Sequence, residues 1–206
     1  MAVSSVVKKV VITGANGYVG RHFVEFLLSY NVLVVALVRD PEKFQMQGVE
    51  SFPYSMEVEP DIAWFKGANA VVHLAAIASQ TSLDDQVEYD ACLRLLEIVS
   101  LDEKNKFIFV SSQSSSAHSP TKYGRTKWRL EQLVSSLGGV IVRPGLVYGG
   151  DKPGALFSAL CSIVKKLPIL PVLVPCPRVQ PIHIDDLSLS LLKSFRLNGL
   201  LILICE

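Results

Sequence analysis

The chain has 206 residues, half of them apolar, and its 20 basic and 19 acidic side chains leave a formal charge of +1. This length is typical of one domain with a sizeable core. The balanced charge argues against a nucleic-acid partner, which requires clustered positive charge. The N-terminus has no apolar stretch long enough for a signal peptide, and the most apolar segment, 32–38, is far shorter than a membrane helix. We expect a soluble, cytoplasmic protein with no membrane partner.

Short apolar runs rich in β-branched residues alternate with longer amphipathic runs. The apolar runs predict strands at 6–13, 32–38, 49–54 (the weakest), 70–75, 107–111, 140–143 and 200–204. The amphipathic runs predict helices near 18–30, 86–100, 121–136, 155–166 and 186–196. Buried strands separated by helices indicate an α/β fold with a mostly parallel, doubly wound sheet and helices on both faces. The Pro-rich segment 166–177 is predicted to be a loop or a short extended region.

The four cysteines are far apart, with no CxxC spacing and no histidine in metal-ligand register. This pattern is typical of reduced thiols in a cytosolic protein and indicates neither a disulfide framework nor a metal site. The cysteines are Cys92, Cys161, Cys176 and Cys205.

A glycine loop follows the first predicted strand, in the segment VVITGANGYVG at 10–20. Gly14 permits a tight turn, Gly17 lets backbone approach a pyrophosphate, and Gly20 lets the following helix pack close to the sheet. The free N–H groups of that helix N-terminus attract phosphates. The order of strand, glycine turn and helix therefore predicts a dinucleotide site.

The TGxxGxxG spacing resembles the short-chain dehydrogenase/reductase family. Further segments match in order: AVVHLAA at 70–76, FIFVSSQ at 107–113 and YGRTK at 123–127. VRPGLVYG at 142–149 and VQPIHIDDLS at 179–188 are similar to the extended branch, the nucleotide-sugar epimerases and dehydratases. The resemblance covers residues 10–192. It implies one NAD(P)-binding Rossmann domain over 1–206, a substrate-side insertion at 148–183, and a compact member with a reduced C-terminal substrate region.

The pair Tyr123 and Lys127 has the spacing that places two side chains on one helix face. Ser119 as N-cap and Pro120 at the first helical position predict the start of that helix. Tyr148 and Lys152 have the same spacing, but Gly149 and Gly150 between them indicate a turn. We therefore favour the first pair as the functional one.

By resemblance, Tyr123 is the catalytic acid/base, and Lys127 lowers its pKa and bonds the nicotinamide ribose. Ser112 holds the substrate oxygen, with Ser111 as the neighbouring alternative and 114–116 as a polar loop. The resemblance also implies these cofactor contacts: Gly14, Asn16, Gly17, Tyr18, Val19, Gly20, Arg39, Leu74, Ala75, Ala76, Tyr123, Lys127 and Pro144.

The end of the second predicted strand bears on the choice of cofactor. An acidic residue there bonds the ribose 2′-hydroxyl of NAD, whereas arginine accommodates the 2′-phosphate of NADP. Arg39 comes first and Asp40 second, so NADP is favoured over NAD. Asp40 before Pro41 is also a plausible turn residue.

Several polar residues have structural interpretations. We expect His183 to pack or form hydrogen bonds, and Asp185 or Asp186 to cap the last helix. His73 is expected to be a satisfied histidine at the edge of the core, and Trp64 and Phe65 to belong to the core.

The resemblance implies an enzyme that transfers hydride on a nucleotide-linked sugar as an epimerase, dehydratase or keto-reductase, and relatives often form homodimers. The segment 84–99 lacks the asparagine that many relatives use in a proton relay. Two alternatives therefore stay open: a non-enzymatic NADP-binding sensor or scaffold, and a reductase of small carbonyl compounds. The intact Tyr123–Lys127 pair favours the enzyme.

Overall fold

The computed structural model describes residues 8–77, 84–102, 105–151, 154–166, 180–196 and 202–204. Its strands are β1 Lys9–Thr13, β2 Leu33–Val38, β3 Val49–Pro53, β4 Ala70–His73, β5 Lys106–Val110, β6 Val140–Arg143, β7 Leu146–Tyr148, β8 Pro181–His183 and β9 Ile202–Ile204. Its helices are α1 Tyr18–Ser29, α2 Asp85–Ser100, α3 Lys122–Ser136, α4 Ala155–Lys166 and α5 Ile184–Ser194, with short 3-10 helices at Pro41–Lys43 and Ile62–Phe65.

Seven of the described strands form one sheet in the order β3-β2-β1-β4-β5-β6-β9. Every described pairing in it is parallel. The predicted doubly wound α/β fold is therefore confirmed. Pro53 ends β3, an edge strand, where the missing N–H of proline removes no hydrogen bond from the centre of the sheet.

Both faces of the sheet are buried against helices, because successive residues of a strand point to opposite faces. Val10 and Ile12 of β1 pack with α1 and α5 through Phe23 and Leu187. Val11, between them, packs on the other face with residues of α2 and α3. Phe65 is buried there and Trp64 is half-buried and stacked on Phe52, so the prediction that both belong to the core is confirmed.

Strands β7 and β8 form a second, parallel pair that the apolar pattern did not predict. Three residues are too few to show a period of two. The pair is held close because Leu146 donates its N–H to the Gln180 carbonyl at 3.0 Å. Gly145 permits this approach, since a Cβ there would lie 1.7 Å from the same carbonyl oxygen.

The predicted start of α3 was wrong. Thr121 is the N-cap, and its hydroxyl accepts the Gly124 N–H at 3.1 Å. Ser119 is instead buried beside Gly124, and its carbonyl accepts a hydrogen bond from Arg125. The chain therefore turns into the helix two residues later than the Ser-Pro pattern indicates.

The predicted cap of α5 was also wrong. His183 is its N-cap, and its Nδ1 accepts the Asp185 N–H at 3.3 Å. The Asp185 carboxylate instead pairs with α1, where its Oδ1 lies 2.6 Å from Nε2 of His22. The expected hydrogen-bonding role of His183 is thus confirmed.

Strand ends differ from the predicted ranges by a few residues. β4 ends at His73, and residues 74–77 leave the sheet as irregular backbone. The described residues do not include 6–7, 200–201 or the segment 167–179. The predicted loop at 166–177 and the predicted insertion at 148–183 therefore stay predictions. No helix in the described part of the chain is long and apolar enough to cross a membrane.

Cys92 and Cys161 are free thiols, while Cys176 and Cys205 lie outside the described residues. The described ranges contain no group of three or more His, Cys, Asp or Glu side chains arranged to hold a metal ion.

Candidate active site

The glycine loop between β1 and α1 has the geometry of an anion site. Gly14 has a φ of +70°, and its carbonyl accepts the Gly17 N–H at 3.0 Å. Gly17 is the N-cap of α1 and supplies no side-chain cap. The first amide groups of α1 are therefore left for a ligand, and the helix dipole favours a negative charge there.

Two of the glycines are required by close contacts. A Cβ on Gly14 would lie 2.7 Å from the Ala75 backbone nitrogen, so the turn fits directly against the chain leaving β4. A Cβ on Gly20 would lie 2.2 Å from the Gly14 carbonyl oxygen. Gly20 thus lets α1 pack directly against the turn that follows β1.

Two adjoining cavities lie over the carboxyl ends of the strands, with volumes of about 440 and about 310 Å³. They share four lining residues: Gly14, Gly17, Leu74 and Ala76. The larger one is also lined by Asn16, Arg39 and Ala75. The smaller one is also lined by Tyr18, Val19, Gly20, Ser112, Tyr123, Lys127 and Pro144. Every residue predicted to contact cofactor or substrate thus lines this one cleft.

Residues 54–57, which follow β3, also line the larger cavity and were not predicted from the sequence. The rule that ligands bind at the carboxyl ends of parallel strands could have identified them, since they leave the strand paired with β2. Tyr54 is buried, and burial raises the pKa of its hydroxyl well above the usual range.

Arg39 and Asp40 are adjacent but have different surroundings. Arg39 is exposed and lines the larger cavity. Asp40 caps the short helix Pro41–Lys43, where one oxygen accepts the Lys43 N–H and the other lies 2.7 Å from the Lys43 ammonium. The hydrogen bond from Lys43 holds the pKa of Asp40 below its usual range.

The two serines that follow β5 differ in their partners. Ser111 is buried and donates its hydroxyl to Glu131, a carboxylate that Arg143 also binds through two nitrogens. Ser112 is half-buried and bonds only locally, at 2.9 Å to the Ser114 hydroxyl. The geometry therefore leaves Ser112, not Ser111, available to a substrate oxygen.

Tyr123 and Lys127 lie one turn apart on α3 and line the same cavity. The Lys127 ammonium is 5.6 Å from the centre of the Tyr123 ring and 4.7 Å from that of Phe109. Tyr123 is 39% exposed, whereas Lys127 is 1% exposed. Gly124 between them makes room for the 114–119 loop, because a Cβ there would lie 2.1 Å from the Ser119 hydroxyl oxygen. Lys152 of the alternative pair lies outside the described residues.

A buried carboxylate, missed in the sequence, lies beside Lys127. Glu88 of α2 is 3% exposed, and its Oε1 is 3.3 Å from the Lys127 Nζ. Its Oε2 accepts the Ile77 N–H at 3.1 Å. The sequence does contain a signal for it. Glu88 comes four and seven residues before the apolar Cys92 and Leu95, a spacing that places all three on one face of α2.

Two further titratable groups near Lys127 are neutral. Burial, together with a smaller contribution from the charge of Lys127, lowers the pKa of His73 to about 3. Burial raises the pKa of the Cys92 thiol to about 12, against a lowering effect of Lys127. His73 was expected to be satisfied, but among the described residues only its Nδ1 has a partner, Thr13 at 2.7 Å, and Nε2 is buried without one.

Tyr18 connects the glycine loop to the β7–α4 segment. Its hydroxyl donates to the Gly149 carbonyl at 2.8 Å, and its ring packs closely on Gly154, where a Cβ would lie 2.9 Å from the ring atoms. Partial burial raises the pKa of this hydroxyl. Tyr18 therefore lies at the boundary between the cofactor loop and the expected substrate side.

Residues 10–188 match the NAD dependent epimerase/dehydratase family. The chain belongs to this family. Among curated proteins, it is 30% identical over 202 residues to the ceramide reductase of Caulobacter vibrioides, a match covering 91% of this chain and 61% of that protein. The chain thus spans about three fifths of this relative's length.

Among solved structures, the chain is similar to MoeE5 in complex with UDP-glucose and NAD, with a TM-score of 0.74 and 22% identity over 95% of this chain and 75% of MoeE5. It is also similar to the ADP-L-glycero-D-manno-heptose-6-epimerase of Helicobacter pylori, with a TM-score of 0.76 and 18% identity over 98% and 78% of the two chains. At these identities, the similarity establishes the shared fold.

Proposed function

We propose that this family member is an NAD(P)-dependent oxidoreductase that transfers hydride at a hydroxyl-bearing or carbonyl carbon of a nucleotide-linked sugar. One observation carries the proposal: Ser112, Tyr123 and Lys127 line the same 310 Å³ cavity as the glycine loop. A protein that only binds a dinucleotide has no need for this polar constellation beside the loop.

The residues present fit a dinucleotide in an extended position along the cleft. The amide groups at the start of α1 would hold the pyrophosphate, and Gly14 and Gly17 let it approach the backbone. The residues of the larger cavity would hold the adenosine half, and those of the smaller one, Pro144 among them, would hold the nicotinamide half. The cofactor, when bound, supplies the hydride acceptor or donor.

The protein supplies proton transfer and orientation. Tyr123 is the exposed member of the pair, so its hydroxyl can reach a substrate oxygen and exchange a proton with it. Ser112 would hold that oxygen by a hydrogen bond, which fixes the direction of transfer. Lys127 places a positive charge below the tyrosine ring, where it stabilises negative charge on the phenolic oxygen.

NADP is the cofactor we propose. Arg39 lines the larger cavity, where its guanidinium is suited to a 2′-phosphate. Asp40, the acidic residue that would bond the 2′-hydroxyl of NAD, is held by Lys43 instead.

Substitution Tyr123→Phe tests the proposed chemistry. It removes the proton-transferring hydroxyl, and one such group typically contributes a rate factor of about 10²–10⁴. We expect NADPH-linked turnover with a panel of UDP-, ADP- and dTDP-sugars to fall by that factor, while the dissociation constant for NADPH stays within about twofold, since the ring is retained. Tyr30→Phe at the end of α1 is the control, because Tyr30 packs on Phe26 away from the cleft. Full activity of the Tyr123→Phe variant would reject the assignment.

A second candidate function is the reduction of a carbonyl group on a substrate other than a nucleotide sugar. The name of the Caulobacter relative, ceramide reductase, favours it. The same assay distinguishes the two, because NADPH oxidation with lipid or small ketones, and none with nucleotide sugars, would select this candidate. Tight NADPH binding without turnover of either class would favour the non-enzymatic sensor.

A further inference from the structure

We propose that Glu88 is a positioning residue that holds the Lys127 ammonium in its buried site and ties it to the backbone that follows β4. The inference rests on the proposed function and deepens it, because it assigns a role to a residue outside the Ser112, Tyr123 and Lys127 set.

Glu88 contacts two separate parts of the site. Its two carboxylate oxygens have separate partners, the Lys127 ammonium at 3.3 Å and the Ile77 N–H at 3.1 Å. Ile77 lines the larger cavity beside Ala76, which belongs to both cavities. One buried carboxylate thus connects the site lysine on α3 to the segment where the two cavities meet.

Lys127 is surrounded by aromatic rings and by titratable groups that differ in charge. Phe109 of β5 and Tyr123 of its own helix present aromatic rings to the ammonium. His73 of β4 and Cys92 of α2 also act on it electrostatically, but burial keeps both neutral. Among the described residues, Glu88 is therefore the anion in contact with Lys127. A buried ammonium without such a partner tends to lose its proton.

The consequence concerns the pH range over which the site binds cofactor. Beside Glu88, the Lys127 ammonium has a counter-charge, and its N–H groups can donate to a ribose hydroxyl. Removing that carboxylate leaves a buried ammonium without a counter-charge, an arrangement that favours the neutral amine as the pH rises. We therefore expect cofactor binding to depend more steeply on pH when Glu88 is replaced.

The test uses Glu88→Gln, which has nearly the same shape and retains an oxygen for the Ile77 N–H. The measurement is the dissociation constant for NADPH by fluorescence titration at about pH 7, about pH 8 and about pH 9. We expect a change within about twofold for the native chain, and a rise of about tenfold for Glu88→Gln, the size of effect expected when a charge-assisted hydrogen bond to the ribose is lost. Parallel pH dependences of the two proteins would overturn the proposal.

The control is Asp85→Asn. Asp85 lies on the same helix and pairs with Lys122 at 2.7 Å, so it also joins α2 to α3, but in an exposed position. A variant that only loosened the packing of the two helices would lower stability without altering the pH dependence. We therefore expect Asp85→Asn to match the native chain in its NADPH titration.

A double-substitution cycle keeps the test decisive if Glu88→Gln folds poorly. Removing one partner of a buried pair is costly because the other charge is left unpaired. Lys127→Met combined with Glu88→Gln should therefore be more stable in urea than Glu88→Gln alone, and an equally unstable double variant would contradict the role of the pair. Both readouts are independent of turnover, so a failure of the proposed chemistry leaves them interpretable.

Discussion

Tyr123 and Lys127 have opposite environments although they are one helical turn apart. The tyrosine is open to the cleft, and the lysine is enclosed by Phe109, Glu88 and the tyrosine ring. The spacing in YGRTK specifies only that the two side chains share a face of α3. Their division into an exposed and a buried member comes from the long-range contacts of α3 with α2 and β5.

Arg39 gives the prediction that belongs to a single side chain. Arg39→Ala should weaken NADPH binding about tenfold, which corresponds to about 1.4 kcal/mol. The substitution removes the charge-assisted hydrogen bond that we propose between the exposed guanidinium and the 2′-phosphate. NADH, which lacks the 2′-phosphate, should bind with an unchanged dissociation constant. Fluorescence titration of both cofactors measures the difference.

Asp40→Asn is the matched variant for that prediction. Because the Asp40 carboxylate bonds Lys43 rather than facing a ribose, we expect no change in NADH affinity. A marked loss of NADH binding on Asp40→Asn would reverse our assignment and make NAD the preferred cofactor.

The sequence was informative about elements and less so about where they begin. The predicted helix near 121–136 and the observed α3 agree, yet the capping residue is Thr121 and not Ser119. A serine before proline matches the usual pattern of a helix start. Here the packing of the 114–119 loop against Gly124 takes Ser119 into the interior instead.

The cap gives a prediction at the scale of the helix. Thr121→Ala should destabilise the protein by about 1 kcal/mol, the usual cost of losing an N-cap, and lower Tm by roughly 2–4 °C for a chain of this size. Ser119→Ala should cost less than Thr121→Ala, since Ser119 accepts no helix N–H. Thermal unfolding of the two variants checks the order, and the reverse order would place the start of the helix at Ser119.

At the scale of the whole molecule, the sheet, its parallel order and the position of the cleft could be predicted from the sequence. Apolar runs of five or six residues, such as β2, show that a strand is buried on both faces, and the glycine loop shows where its carboxyl edge is. The partner of Glu88 and the β7–β8 pair could not be predicted. The first depends on which long-range neighbour meets α2, and the second is too short for any periodicity to appear.

His73 predicts how the stability of the whole fold depends on pH. Its folded pKa of about 3 lies below the unfolded value of about 6.5. The unfolded chain therefore takes up the proton first, and stability falls as the pH drops below about 6.5. By about pH 4.5, His73 should account for a loss of about 2–3 kcal/mol.

The measurement is urea unfolding of the native chain and of His73→Asn at several pH values. Asparagine keeps a polar group that can form a hydrogen bond with the Thr13 hydroxyl but does not titrate. The variant should lose less stability than the native chain between about pH 6.5 and about pH 4.5. Equal losses in both proteins would show that His73 is protonated in the folded state as readily as in the unfolded one.

The contact between Gly14 and Ala75 has a consequence for how the protein is made. The glycine loop leaves the ribosome before the backbone that supports it, since Ala75, whose N–H Thr13 accepts at 3.3 Å, lies 62 positions further along the chain. A nascent chain therefore contains the whole glycine motif long before β4 can pair with β1 and shape the loop. Cofactor capture during translation must wait for the fourth strand, so fragments that end before it should contain the motif and bind nothing.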